Sequence, residues 1–343
     1  MNNNRNWRVV TLISISFFIY LFFSILSFAF DIKWEPFEKV NLITDVFDKN
    51  KKSELAKADQ QKNNSETNNP KNLVQDFELY KKSNFITNFY KGDSVTALSE
   101  FAEKLHQLRT TKKGKIRIAY FGDSMIEGDL LTQTLRKLLQ KEFGGYGVGF
   151  LPIHSKVAGF RQTATVKSSG WETINFMDKV AKNMYISGFS FSGLGNGSFT
   201  DRTVTTPPSL QKFLIYGQSN GGSIDYDGTS ISLQGNDLVN AQLLSNNNAT
   251  SFEFKSNSAT TPFYGVSFES ENGIILDNFS FRGITGVEFR KIDEDFLKAV
   301  QSANHYDLIV MQYGVNLLFR PNDTDYSYYT KNMTPVLEKF ISA

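Results

Sequence analysis

The run Lys115-Ile116-Arg117-Ile118-Ala119-Tyr120-Phe121 stops at Gly122-Asp123-Ser124, and a leucine-rich stretch follows (Leu130, Leu131, Leu135, Leu138, Leu139). A short apolar run closed by a turn signal reads as a buried strand, and leucines three and four apart read as one face of a helix. Together they prescribe a strand–turn–helix unit over about 115–142. Such a unit lifts one serine hydroxyl out of the end of a buried sheet, where it serves as a nucleophile if a base and an oxyanion site are supplied. The tripeptide occurs a second time, at Gly92-Asp93-Ser94, after the polar Tyr90-Lys91. There Asp93 or Ser94 most simply caps a helix whose apolar stripe is Leu98, Phe101, Leu105 and Leu108. The strand before Ser124, not the tripeptide, carries the signal.

A second buried strand of parallel type is expected over Tyr306–Gln312, ending in the polar turn Gly314-Val315-Asn316 and preceded by a helical segment, Asp293–Ala303. Between the two, from about Gly159 to Phe281, short alternating runs (Lys212–Tyr216, Ser251–Lys255, Tyr264–Glu269) are separated by Gly, Asn, Ser and Thr. Period-two alternation with frequent turns indicates an antiparallel sandwich. The expected fold is therefore an α/β parallel sheet interrupted by an inserted antiparallel β-sandwich. The glycines of Phe143–Pro152 follow no strand, which argues against a dinucleotide loop; a tight loop beside the serine is the expectation.

Val9–Phe30 is a run of 22 residues without a charge, preceded by Arg5 and Arg8. That suffices for a membrane-spanning helix and exceeds the roughly 7–15 apolar residues of a cleavable leader. Lys33, Lys39 and Lys49 on the far side leave the count of basic flanks undecided. A short cytoplasmic N-terminus with an exported main body is expected, because large domains cross largely regardless of charge. The polar stretch from about Asp48 to Asn72 has little to bury and reads as a solvated tether. The domains expected are 1-30 (anchor), 31-85 (tether), 86-158 (first part of the α/β domain), 159-282 (inserted sandwich) and 283-343 (second part). A formal charge of +2 and the lack of a basic stripe argue against nucleic acid. With no cysteine and three histidines, neither a Cys/His metal site nor a cofactor is expected.

On these residues the chain resembles the SGNH (GDSL-type) hydrolases, whose fold is a flavodoxin-like parallel sheet. Gly122-Asp123-Ser124 matches the first block, which makes Ser124 the nucleophile by resemblance. Arg282-Gly283-Ile284-Thr285-Gly286 is similar to the second, with Gly286 the better match to the oxyanion-hole glycine and Gly283 a competitor. Gly314-Val315-Asn316 matches the third, and Asn316 would give its side-chain amide to the oxyanion; Leu317 stands where the family often has aspartate. The form Gly-Asp-Ser-x-x-Glu-Gly-Asp, with an anchor before it and a β insert after it, is similar to bacterial peptidoglycan O-acetylesterases and to periplasmic exopolysaccharide acetyltransferases. The partner implied is an acylated glycan. Each residue also has a plainer reading: Ser124 as a helix cap, Gly286 as a turn glycine, Asn316 as an Asx turn. Glu127 and Asp129 are expected as first-turn acids favoured by a helix dipole.

The family's fourth block, Asp-x-x-His, is not found: no histidine follows His305, and the chain stops 27 residues after Asn316 (343 − 316). His305 stands at the wrong end of its strand to help Ser124, and no acid is spaced to orient His154. The sheet is therefore expected to be C-terminally incomplete, the chain a fragment, and the site inactive as written. Three functions compete: an exported serine esterase removing O-acetyl groups from a cell-wall or surface glycan, a glycan O-acetyltransferase using the same serine, and a non-catalytic glycan binder. In the last, Trp171, Tyr216 or Tyr226 would stack on sugars unless they simply pack in the sandwich.

Overall fold

The computed structural model describes residues 3–29, 98–155, 158–179, 184–318 and 325–343. The chain divides into two units, residues 1–89 and 90–343. In the first, the described residues form helix α1 (Asn3–Ala29), which exposes Ile15, Phe17, Phe18, Ile19 and Phe22. No helix among the described residues is long and apolar enough to cross a membrane. The expected anchor therefore rests on the sequence alone. The expected tether and the Asp93 or Ser94 cap lie outside the described residues.

The second unit opens with α2 (Ser99–Thr111), whose N-cap position is Leu98 with no side-chain cap bond. Strand β1 (Lys115–Gly122) leads through a 3-10 turn to α3 (Thr132–Phe143). A long antiparallel section follows: β2 (Gly149–Pro152), β3 (Ala164–Ser169), β4 (Glu172–Asn175), β5 (Phe189–Ser192), β6 (Asn196–Asp201) and β7 (Leu210–Tyr216). It continues with β8 (Ser223–Tyr226), β9 (Thr229–Ser232), β10 (Asn240–Asn247), β11 (Ser251–Ser256) and β12 (Phe263–Glu269). The chain then returns through β13 (Gly273–Ser280), α4 (Glu294–Asn304), β14 (Leu308–Gln312) and α5 (Ser327–Ser342).

The architecture is mixed α/β. A parallel sheet of order β13-β1-β14 has β1 at its centre, with Ile116 opposite Ile274 and Gly122 opposite both Ser280 and Gln312. The antiparallel strands form two sheets, β10-β7-β12-β5-β4 with β2 joined to β12, and β3-β6-β11-β8-β9. These two share one core, in which Leu151, Phe191, Leu214 and Val266 meet Phe199, Phe252, Phe254 and Ile224. The strand boundaries differ from the expected insert at both ends. Residues 273–280 belong to the parallel sheet, and residues 149–152 to the antiparallel one.

The sheet holding β7 and β12 is covered on its second face as well. Ile215, Phe150 and Tyr264 pack there against Phe121, Phe279 and Phe296 of the α/β part. This explains why the alternating run Tyr264–Glu269 is buried at every position: its second face is covered too, and there Glu269 finds partners instead of water, while the Ser267 hydroxyl has none among the described residues. Arg117 meets Glu269 Oε1 at 2.5 Å and Asp277 Oδ2 at 3.0 Å. Lys115 Nζ reaches Glu269 Oε2 at 2.7 Å. Tyr306 donates its hydroxyl to Asp277 Oδ2 at 2.8 Å, and the Phe150 amide donates to Asp277 Oδ1 at 2.8 Å.

Two further expectations are corrected. The glycine loop is not beside Ser124. A side chain at Gly145 would lie 2.6 Å from the Ile274 amide nitrogen, and one at Gly147 2.3 Å from the Phe268 carbonyl oxygen. Ile274 pairs with Ile116, six residues before the end of β1, so at about 3.3 Å per residue the loop sits roughly 20 Å from the serine turn. Its glycines let the backbone approach the sheet's opposite end. Strand β14 is also not fully buried: among the described residues it pairs with β1 alone, and Ile309 is 39% exposed.

Burial pushes the Glu269 carboxyl up, but Arg117 and Lys115 outweigh this and hold it down at about 2, against an ordinary 4.5. A depressed folded-state value gives stability that is present above the unfolded value and lost as pH falls toward the folded one. Thermal melting should therefore drop between about pH 4.5 and 2, and Glu269→Gln should flatten that part of the profile. An unchanged slope in the variant would count against the pairing.

Candidate active site

Strand β1 ends at Gly122 because the chain is crowded there: a Cβ would lie 2.9 Å from Ile126 Cγ1 and 3.2 Å from the Gln312 carbonyl oxygen. Asp123 is buried, and its Oδ1 accepts from the Met125 amide at 2.9 Å, closing the turn. Ser124 then begins a 3-10 segment, Ser124–Asp129, broken by extended Glu127 and left-handed Gly128. The α-helix starts only at Thr132, so the serine stands on a tight 3-10 turn and not at an α-helix N-terminus. The expected leucine stripe holds only in part: Leu135 and Leu139 pack against the parallel sheet, but Leu130, Leu131 and Leu138 are exposed, and Thr132 and Arg136 are buried.

Arg136 is buried for Asp129. The guanidinium donates to both carboxylate oxygens, at 2.7 and 2.9 Å, and its Nε donates to the Leu276 carbonyl at 3.0 Å. Thr163 Oγ1 donates to Asp129 Oδ2 at 2.6 Å, Arg161 reaches it at 3.5 Å, and Thr132 bonds Oδ1. Burial alone would raise the Asp129 carboxyl, but Arg161 and Arg136 hold it far below the usual carboxylate range. Asp129 has φ 67°, a conformation that this clamp stabilises against its steric cost. Asp129 is thus not a first-turn acid, whereas Glu127 stands in the first turn of the 3-10 segment, in extended conformation and paired with Arg282.

The other two candidate residues are brought to the same end of the sheet. Asn316 Nδ2 donates to Asp123 Oδ2 at 3.1 Å and to the Ile284 carbonyl at 2.8 Å. This amide joins the serine turn to the segment 282–286. Both amide hydrogens are engaged, so an oxyanion accepting from Asn316 has to displace one acceptor. Gly286 has φ 92°, and a Cβ there would lie 2.9 Å from the Tyr313 ring. Gly283, also at positive φ, faces open space. The steric requirement for glycine thus falls on 286. Tyr329 donates its hydroxyl to the Thr285 carbonyl at 2.8 Å, and Glu288 accepts from the Thr285 amide at 3.0 Å, which fixes the loop.

His305 lies elsewhere, whereas His154 lines a cleft beside the serine turn. His305 caps the C-terminal end of α4, at the opposite end of the sheet. His154 is exposed, with Nδ1 3.0 Å from Ser168 Oγ. No histidine is hydrogen-bonded to Ser124 among the described residues. A cleft of about 620 Å³ opens beside the turn, between Glu127–Asp129 and Ser280–Arg282 on one side and β3, β4 and β5 on the other. Ser124 does not itself line it; Phe281, whose amide donates to the Gly122 carbonyl at 3.0 Å, does. Of the aromatics considered for sugar stacking, Tyr216 and Tyr226 are buried, with hydroxyls bonded to Gln242 and Ser245. Trp171 lies against Gly195 and donates to the Asn196 carbonyl at 2.8 Å. Buried Asp129 and Arg136 were missed because a leucine-rich helix and two acids after a turn look like a solvated first turn.

No protein-family model matches the chain, and no curated protein matches it. Among solved structures, the chain is similar to a peptidoglycan O-acetylesterase, at 20% identity and TM-score 0.57, over 69% of this chain and 67% of that one. A family 35 carbohydrate-binding module from Clostridium thermocellum aligns at 10% identity and TM-score 0.22, over 36% of this chain and 96% of that one. The catalytic unit of an alpha-1,3-glucanase from Streptomyces thermodiastaticus aligns at 12% identity and TM-score 0.20, over 31% and 25%. The last two likenesses are too slight to bear on the fold. The first shows an esterase-like fold.

Removing one partner of a buried ion pair leaves an uncompensated charge and costs about 3–5 kcal/mol. Asp129→Ala should therefore lower unfolding stability by about that amount in urea titrations; a loss below about 1 kcal/mol would mean Arg136 is paired otherwise.

Proposed function

We propose that the chain is the acyl-transfer part of an exported serine esterase that removes O-acetyl groups from a cell-wall or surface glycan. The observation that carries this reading is the Asn316 amide, which ties the Ser124 turn to the Gly286 loop. Three separated sequence blocks thereby converge at one end of one sheet. The esterase-like fold of the solved neighbour supports the reaction class.

In this reading Ser124 Oγ attacks the ester carbonyl carbon. The negative charge on the carbonyl oxygen is met by the Ser124 and Gly286 amides and the Asn316 side chain. The carbon–oxygen bond to the sugar then breaks, the sugar leaves as an alcohol with a proton, and water hydrolyses the acyl-serine to release acetate. The Ser124 proton passes to a base that the described contacts do not include. The uncharged run Val9–Phe30, behind Arg5 and Arg8, is the membrane anchor of the same reading, with the main body outside the cytoplasm.

Acetate release from an O-acetylated glycan by the full-length protein should vanish with Ser124→Ala. Asn316→Ala should retain only a remnant, about 10²–10³-fold below wild type, as when one oxyanion donor is removed. Equal release by wild type and Ser124→Ala would end the esterase reading.

A further inference from the structure

One polar group in the cleft has no use inside the protein. Ser187 is 6% exposed, lines the cleft, and its hydroxyl has no hydrogen-bond partner among the described residues. An unmade bond at a buried donor is costly, so such a group in a cavity wall is a place where a ligand completes the structure. Its surroundings restrict that ligand. Phe189 and Phe281, their rings stacked at 4.8 Å between centroids, line the same cleft. At the open side stand Asn175, Arg161 and Met177. An unpartnered hydroxyl in a wall that also carries aromatic rings suits a carbonyl with a methyl group attached.

We infer that the cleft holds an acylated sugar ring of the substrate and that Ser187 selects it, donating its hydroxyl hydrogen to the carbonyl oxygen of a small acyl substituent whose methyl lies on Phe189 and Phe281. This rests on the glycan-esterase reading and names the substrate feature that the antiparallel part recognises. The substituent is an amide or an ester acyl group that is not the one being cleaved. Ser187 is thus a specificity residue, held by residues 184–192 and separate from Ser124.

The test measures binding in the full-length Ser124→Ala protein by calorimetry, with an N-acetylated chitotriose, an O-acetylated xylotriose and unacylated cellotriose. At least one acylated trisaccharide should bind about tenfold or more tighter than cellotriose, and which of the two does so identifies the amide or the ester. Adding Ser187→Ala should erase that preference while leaving the melting temperature unchanged or higher, because an orphaned buried hydroxyl is removed. A purely structural Ser187 would instead shift melting and leave the preference intact. Cellotriose binding as tightly as both acylated sugars, no binding by any of the three, or a preference that survives Ser187→Ala would each overturn the inference. Acetate release is scored separately. If it depends on Ser124 while the preference is absent, the esterase reading stands and only this inference falls. A preference without Ser124-dependent release leaves the cleft as a sugar site and removes the esterase.

Discussion

Arg117 is the residue around which the second unit is organised. It sits in the central strand of the parallel sheet and reaches Asp277 on the neighbouring strand and Glu269 on the antiparallel sheet. A buried charge is tolerable only when its partners satisfy it, and here those partners come from β12 and β13, either side of the point where the chain leaves one sheet type for the other. The Asp277 carboxylate also accepts from the Tyr306 hydroxyl and the Phe150 amide, which adds the approach to β14 and the edge strand β2. An ion pair stabilises little by itself, but this one admits few alternative pairings. It sets which face of the antiparallel sheet meets the α/β part, and so where β13 delivers Ser280 and Phe281 beside the serine turn.

Much of this was legible in the chain. The strand before Ser124, the α4–β14 unit and the antiparallel section each announce themselves by apolar period, and Ser124, Gly286 and Asn316 fall at one end of the parallel sheet. What stayed hidden were the places where a polar residue is inside. Alternation in Tyr264–Glu269 reads as one wet face and one dry face, yet the wet face is covered by the α/β part. Lys212 and Glu269 are buried with partners that a one-dimensional pattern cannot name. Arg136 failed to register for the same reason: it is buried on a helix that packs Leu135 and Leu139 against the sheet and exposes Leu138. The strand boundaries suffered too, because β2 and β13 exchange sheets at positions where composition does not change.

The site has a division of labour. Asp123 and Asp129 are both buried acids within six residues of each other, and both are hydrogen-bonded inside the protein. Asp123 is held by the Met125 amide and Asn316, and Asp129 by Arg136, Thr132 and Thr163. Both act on backbone shape. One closes the turn that presents Ser124, and the other locks the left-handed exit of that turn against the strap Arg161–Thr163, which leads into the antiparallel section.

That strap carries a consequence for how the two parts move. Asp129 is gripped from both sides, and Phe189 stacks on Phe281 across the same junction, so these contacts tie the antiparallel sheets to the serine turn. The cleft between them is bounded by two walls that share a core, so its width is a property of side-chain volume and not of an opening angle. A wider or narrower substrate would be accommodated in evolution by exchanging large for small residues along that seam, as in the fitting of a mould, and not by lengthening a hinge.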